Sequence, residues 1–394
     1  MNHDEQVAMF HRLMGLKEAR RDEKTFEHVV TIPVGVYTDE KLLQREMGSA
    51  FASYPLMVGY GSTLREPGSF VRSDWDDFPY LVVRGRDGVL RGFYNQCRHR
   101  GAELTADSSG TVKAFVCPFH GWAYDLDGSL KGITRSHDFP GVDPCAYGLV
   151  ELPVAEVRGL VWIGRKPGAV LDVESFLGDF HQDLIDFDID SMVRYKKTRT
   201  VKDANWKLLI QTYLEGYHVP FLHRNTLVSS FRHGVIAHDQ SGPHIRLSAA
   251  RTNFDDVRDR PESEWKILDY VSVYYSIFPN AFFIMHPDYV SINIFYPLSA
   301  GRSVWTHEML YRADKFQGSA GQSALEKRFV YTNDTVFGGE DFAIAENIQK
   351  NMLRGGTTVH TLGLAEGLIK VFQDNIDQRL DTTGATMPAG VAGA

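Results

Sequence analysis

Residues 97–120 read CRHRGAELTADSSGTVKAFVCPFH and hold two of the chain's three cysteines, each with a histidine two or three positions further on. The pattern is Cys97-x-His99, then seventeen residues, then Cys117-x-x-His120. Thiolates and imidazoles at short fixed spacing ligate zinc, copper or iron-sulfur clusters, so residue type alone does not choose the metal. The order of the ligands says more. A structural Cys2His2 zinc site keeps its cysteines together and its histidines together, whereas here each loop supplies one of each. Such a mixed set suits a [2Fe-2S] cluster of Rieske type, in which both cysteines hold one iron and both histidines the other. Gly101, Pro118 and Gly121 suit tight loops that turn backbone N–H groups toward the cluster sulfurs. Zinc, or no metal, is the competing reading.

The flanking sequence offers hairpins to carry these loops. YLVVRGRDGVLRGFYN (80–95) reads as strand, Arg-Asp-Gly turn, strand; AFVCPFHGWAYDLDGSLKG (114–132) repeats that form around Asp-Leu-Asp-Gly, and LVWIG (160–164) reads as a closing strand. Residues from about 55 to 165 thus read as a compact all-β unit. After it, RTVKDANWKLLIQTYLEGYHVPFLH (199–223) opens a region that mixes helices with longer strands, VSVYYSIF (271–278) and YVSINIFYPL (289–298). A helical stretch from about 320 to 353 follows. Strands and helices segregated along the chain predict an α+β class.

That second region carries a second set of ligand types. Trp206, Leu209, Ile210, Tyr213, Leu214 and Tyr217 recur at helical period, and Glu215 and His218, three apart, share a face of the predicted helix. His223 lies five residues beyond His218, and Pro220 is expected to break the helix and turn the chain back so that both imidazoles reach one ion. Two histidines and one carboxylate form the facial arrangement that leaves open positions on Fe(II). In VFGGEDFAIAENIQKNML (336–353), the residues three, four, seven and eleven after Asp341 are Ile344, Ala345, Ile348 and Met352, all apolar. This places Asp341 on a buried face and Glu340 toward solvent or in a cap. A buried carboxylate is costly without a partner, and a ferrous ion is an adequate one. The alternative is an aspartate serving the dipole of a helix start.

Composition narrows the function classes. The chain has 394 residues, 43% of them hydrophobic, enough for two or three domains. Its 42 basic and 50 acidic residues leave a net charge of -8, with no footprint for nucleic acid. MNHDEQVAMFHRLMGLKEARRDEK carries charges every few residues, unlike a secretory signal, and no run of eighteen apolar residues offers a membrane span. Three cysteines build no disulfide framework, which fits a reducing cytoplasm. Cys145, in GVDPCAYG, is expected to be a small buried residue and not a ligand. The tail TTGATMPAGVAGA (382–394) is expected to fray.

CRHRG and CPFHGWAYDLDGSL resemble the two cluster loops of Rieske non-heme iron ring-hydroxylating oxygenases, in the alpha (oxygenase) subunit. By that resemblance Cys97, His99, Cys117 and His120 bind the cluster. The Rieske proteins of respiratory complexes carry an additional disulfide-forming cysteine in each loop, and this chain has none there. Glu215-x-x-His218-x-x-x-x-His223 is similar to the family's acidic-x2-His-x4-His motif, and Glu340-Asp341 with Glu346 and Gln349 to its C-terminal helix. The resemblance makes His218, His223 and Asp341 the ligands of a mononuclear Fe(II). It makes Glu215 the bridge to a Rieske histidine of a neighbouring subunit, although many relatives carry aspartate there, and it implies a homotrimer. Asn205 matches a position close to the iron in relatives, though a helix cap accounts for it equally well.

The implied architecture has an N-terminal segment (1–40) packed on the catalytic domain, a Rieske domain (41–165), and a helix-grip-like catalytic domain (166–394) with an antiparallel sheet and a long C-terminal helix. The implied reaction uses O2, with electrons from NADH or NADPH delivered by a separate reductase and in some systems a ferredoxin. No nicotinamide-binding glycine fingerprint occurs in this chain. A small beta subunit accompanies some members. The strands from 271 to 296 are expected to wall the substrate pocket, with Phe278, Phe282, Phe283, Ile292 and Phe295 as apolar lining or simply as sheet core. Arg232, His233, His286 and Asp288 are candidates for orienting a polar group, or surface residues. The expected reaction is mono- or dihydroxylation of an aromatic or similarly hydrophobic molecule, with oxidative O- or N-demethylation as the alternative. An electron carrier without oxygenase activity and a zinc-stabilised binding protein are the readings from other classes.

Overall fold

The computed structural model describes residues 1–380; the tail expected to fray lies outside the described residues. The described residues form two compact units, residues 51–173 and residues 1–50 with 174–380. No helix among the described residues is long and apolar enough to cross a membrane.

The unit 51–173 is all-β. Tyr80–Arg84 and Leu90–Tyr94 pair as the predicted hairpin, with Gly88 in the left-handed region at φ 78°. They lie at the centre of a five-stranded antiparallel sheet. Leu160–Ile163 closes a second, three-stranded sheet between Val154–Val157 and Leu56–Tyr60. The second predicted hairpin is a small sheet of Phe115–Val116, Ala123–Tyr124 and Leu130–Gly132. Its turn requires glycine twice over at Gly128: φ is 85°, and a Cβ there would sit 2.4 Å from the Phe93 ring. Phe70, Leu81, Phe93, Phe115, Trp122 and Tyr124 form the core, and Cys97 and Cys117 are buried against it.

The other unit is built on a seven-stranded antiparallel sheet. The edge strand Val193–Lys202 pairs with Arg302–Tyr311, and the order then runs back through Tyr289–Ser299, Ala281–Met285, Val271–Ile277 and His244–Arg251 to Phe231–Ser241. A helical segment from Gly318 to Met352 packs on it through Phe329 against His307 and Phe342 against Trp305. The C-terminal helix Gly367–Leu380 completes a helix-grip arrangement of α+β class. The sequence predicts one α-helix over about 320–353, but its middle, Tyr331–Asp341, is π-helical. The pair Gly338 and Gly339 lies in this wider turn, where an added Cβ would come 2.8 Å from the carbonyls of Asn333 and Asp334.

Residues 1–40 pack on the catalytic unit: Val30–Pro33 pairs with Val359–Leu362, and Arg12 bridges to Asp239 at 2.7 Å. The boundary falls later than residue 40, because the helix Glu40–Gly48 buries Glu46 against Lys207 and the Trp206 indole N–H. An ion pair with both partners 0–1% exposed is tolerable only when fully hydrogen-bonded, so this helix is committed to the catalytic side. Residues 166–173 stay with the β unit. Cys145 corrects its expectation. It sits exposed in the short turn Pro144–Tyr147, which contributes no buried residue.

Candidate metal centres

The two Cys/His loops are built alike from the backbone up. In one, the Cys97 carbonyl accepts from Gly101 N–H at 2.9 Å and the Cys97 N–H donates to Ala102 at 2.8 Å. In the other, the Cys117 carbonyl accepts from Gly121 at 3.0 Å and its N–H donates to Trp122 at 2.8 Å. Both glycines have positive φ, 80° and 70°, which lets each loop close in five residues. The closed turns bring Cys97 and Cys117 together, both 3% exposed, and set the His99 and His120 rings 4.6 Å apart. His99 also stacks on Trp122 at 4.9 Å.

The histidine Nδ1 atoms of His99 and His120 are buried and have no hydrogen-bond partner. Two orphaned imidazole nitrogens and two buried thiols, carried on a pair of like turns, are what a ligand set for a [2Fe-2S] cluster presents, so the residues fit the group. Tyr124 adds a tuning contact that the sequence reading missed. Its hydroxyl accepts from Arg98 N–H at 2.9 Å, which leaves the phenol proton for Cys97 Sγ at 3.3 Å.

The second site is assembled from two distant stretches. The predicted helix through Tyr217 ends at Gln211, and residues 212–217 form turns. Five members of its apolar stripe are buried, but Tyr217 is 62% exposed. Glu215 and His218 therefore meet through a turn and not across a helix face: the Glu215 carboxylate accepts the His218 backbone N–H at 3.0 Å and also holds His218 Nδ1. Pro220 likewise differs from its expected role, since it starts the one-turn helix Val219–Leu222 instead of breaking a longer one. His218 and His223 cap the two ends of that turn, which puts their rings 5.0 Å apart.

Asp341 closes the set. His218 Nε2 lies 3.5 Å and His223 Nε2 3.1 Å from its Oδ1, and ligand atoms of all three residues fall within 4.8 Å of one another. Asp341 is 3% exposed, as its helical position predicts, although Ile344 and Ile348 are exposed and only Ala345 and Met352 share its burial. Glu340 is not the solvent residue the α-helical reading expects. The π turn brings it to His223 Nδ1 at 2.7 Å, and Thr226 Oγ1 donates to the same carboxylate oxygen at 2.8 Å. Each imidazole thus has Nδ1 fixed by a carboxylate and Nε2 turned inward, the outer-partner pattern of metal-ligating histidines.

Electrostatics agree with that geometry. Burial pushes the Asp341 carboxyl up, and the imidazolium forms of His223 and His218 oppose the shift. Burial lowers both histidines, but their carboxylate partners outweigh it and raise both. A divalent cation would replace these shared protons, so the donor set fits Fe(II). Asn205 takes the capping role: its side chain accepts from Lys207 N–H at 2.9 Å and donates to the carbonyls of Ala300 at 2.7 Å and Tyr37 at 3.2 Å. It does not line the cavity beside the triad.

That cavity, of about 150 Å³, is lined by Tyr213, Tyr274, Ile284, His286 and Tyr289 together with the triad. Phe278, Phe282, Phe283, Ile292 and Phe295 are buried core and are absent from its lining; Asp288, half-buried between two strands, is absent from it as well. Arg232, His233 and His286 do line it. His218 and Asp341, with Glu215, also border a second, more open groove of about 570 Å³ that includes Phe221, Ile344, Ile348 and Met352.

Comparison with known proteins gives two family matches: the Rieske [2Fe-2S] domain over residues 55–144 and the ring hydroxylating alpha subunit catalytic domain over residues 189–382. The chain is 31% identical over 225 residues to a glycine betaine monooxygenase oxygenase subunit of Chromohalobacter salexigens, covering 56% of this chain and 49% of the relative. It is 30% identical over 222 residues to a chlorobenzene dioxygenase subunit alpha of a Cupriavidus species, covering 53% and 48%. The chain spans about half the length of the curated relatives it matches. Among solved structures, the quaternary ammonium Rieske monooxygenase CntA with L-carnitine superposes with a TM-score of 0.76 at 24% identity, over 89% of this chain and 95% of that one, and so shares the fold. With both signature domains in sequence order, the chain belongs to the family of Rieske ring-hydroxylating oxygenase alpha subunits.

Proposed function

We propose that the chain is the oxygenase component of a multicomponent Rieske oxygenase that hydroxylates an aromatic or similarly hydrophobic small molecule. Cys97, His99, Cys117 and His120 would hold the [2Fe-2S] cluster, and His218, His223 and Asp341 the mononuclear iron. When bound, the cluster supplies single electrons and the iron supplies O2 activation at its open positions. The observation that carries the reading is the convergence of two carboxylate-anchored imidazoles on the buried Asp341 carboxylate, beside an apolar cavity.

The chain's own groups do the rest. Glu215 and Glu340 hold the Nδ1 protons of His218 and His223 and so fix which nitrogen faces the iron. Tyr213 and Phe337 meet edge to face at 5.2 Å beside the site and help to exclude water from the apolar cavity. Electrons would come from NADH or NADPH through a separate reductase, with a ferredoxin in some systems. Glu215 borders the outer groove as well as the cavity, which supports the family's arrangement, a homotrimer in which this carboxylate meets a Rieske histidine of the next subunit.

A second reading, oxidative O- or N-demethylation, draws on the relatives named for glycine betaine and carnitine. The test is a substrate screen with a surrogate reductase, following O2 uptake coupled to product. Product formed in step with O2 supports the proposal, and product analysis separates the two readings. A brown, iron-loaded protein that turns over nothing in a broad screen leaves an electron carrier as the better account.

A further inference from the structure

Behind the cavity lining, bonded to His286, lies an unexplained cation, Arg251. Leu247, Ala249 and Arg251 alternate along His244–Arg251, and Ala249 pairs with Ser272 on the next strand. Arg251 donates through Nε to Ser272 Oγ at 3.0 Å and through Nη2 to His286 Nδ1 at 3.3 Å. It has no carboxylate within ion-pairing distance among the described residues, and Asp269 and Asp288 act on it only through space. A partly buried guanidinium is expensive to leave without an anion.

His286 converts that cation into a directed donor. With Nδ1 accepting from Arg251, the neutral ring carries its proton on Nε2. The ring stacks on Tyr289 at 4.1 Å, lines the cavity, and its Nε2 has no partner among the described residues. Burial and the neighbouring cations Arg251 and Arg328 hold His286 neutral, with a pKa lowered to about 3. A second donor points the same way: Arg232, which also lines the cavity, bonds Asp255 through Nη2 at 2.7 Å but leaves Nε buried without a partner.

We infer that this cavity selects substrates that join an apolar body to a carboxylate, with His286 Nε2–H as the direct donor and Arg251 as the charge behind it. The apolar part then lies against Tyr274, Ile284 and Leu247. The inference rests on the cavity being the substrate site of the proposed oxygenase. His286 is a recognition residue in this account, and the chemistry at the iron does not pass through it.

The test uses the iron-loaded full chain and three phenyl probes, the equal-sized benzoate and benzamide and the somewhat larger benzyltrimethylammonium, titrated calorimetrically without reductase. Benzoate is expected to bind about tenfold or more tighter than benzamide, the value of one charge-assisted hydrogen bond. His286→Phe and Arg251→Gln should each bring that ratio toward one, with the visible spectrum unchanged. Equal binding of all three probes, tightest binding of the cationic probe, or a ratio untouched by both variants overturns the inference. Should either variant fail to fold, the wild-type ratio alone decides. Oxygen uptake separates the two levels: carboxylate selectivity without turnover of any bound acid counts against the oxygenase reading, and turnover of uncharged or cationic compounds without carboxylate selectivity counts against this one.

Discussion

At the Cys/His loops, His99 and His120 leave Nδ1 buried and unpartnered, whereas at the triad His218 and His223 have Nδ1 held by Glu215 and Glu340 and turn Nε2 to Asp341. The first site is shaped chiefly by backbone, two five-residue turns closed on Gly101 and Gly121, with neutral side-chain contacts from Tyr124 and Trp122. The second is shaped by side-chain charge: three carboxylates surround two imidazoles. Which nitrogen a histidine offers a metal follows from what holds the other one. The contrast suits two tasks, since a cluster enclosed by short loops keeps its geometry while its charge changes, and a dication needs anionic ligands oriented before it arrives.

The largest expected effects break the two sites independently. Asp341→Ala should abolish turnover and lower the iron content from about three to about two per chain while the cluster spectrum persists. Cys117→Ser should bleach the spectrum and leave the triad's iron in place. Loss of cluster colour in the Asp341 variant, or full turnover by it, would refute the separation of roles.

Acid should distinguish the units next. His244 is fully buried in the catalytic unit, donating to the Phe176 carbonyl at 2.7 Å and accepting from Phe278 N–H at 3.1 Å, and burial first of all lowers its pKa to about 4. His307, stacked between Trp305 and Phe329, is lowered to about 4 by the same cause. The unfolded chain takes up these protons near pH 6.5 and the folded chain only near 4, so this stability is complete above about 6.5 and lost as the pH falls toward 4. Each contributes on the order of 3 kcal/mol. Far-UV melts between pH 7 and 4 measure it, and His244→Gln should flatten the slope; an unchanged slope would rule His244 out as its source.

How much of this could be read from the sequence differs between the sites for the same physical reason. The proposed cluster set is local, four residues within 24, carried on hairpins whose turns are announced by Arg-Asp-Gly and Asp-Leu-Asp-Gly, so spacing brings it to notice and the family resemblance supplies the metal. The triad joins residues 218 and 223 to residue 341, and the register of the connecting helix decides which carboxylate points inward. An α-helical reading finds Asp341 but sends Glu340 to solvent, because nothing in simple periodicity marks a π turn; the Gly338-Gly339 pair is the one local signal. Arg251 escaped notice for another reason. Its importance lies in a missing anion, which only tertiary structure reveals.

Glu340→Gln isolates the value of anchoring. The amide still accepts from Thr226 but no longer offers His223 Nδ1–H a charged partner. Iron affinity at the triad should fall about 10- to 100-fold, read by competition with a chelator. Cluster content should stay constant. An unchanged affinity would mean that Glu340 only fills space beside the ring.

Tyr124→Phe asks for the counterpart at the cluster, where the outer contact is a neutral hydroxyl on a thiolate. Arg98 N–H donates to the Tyr124 oxygen, so the phenol proton is available to Cys97 Sγ, and with that sulfur as a thiolate it stabilises the negative charge there. The reduced cluster carries one more electron than the oxidised one, so it gains more from the bond, and removing the hydroxyl should lower the potential. A hydrogen bond of about 1 kcal/mol corresponds to about 40 mV for one electron. Redox titration of the cluster signal reads this directly, with Glu340→Gln as the variant that should leave the potential where it was. A potential that rises or stays fixed in Tyr124→Phe would show that the hydroxyl proton points elsewhere, and the cluster would then be tuned by its backbone turns alone.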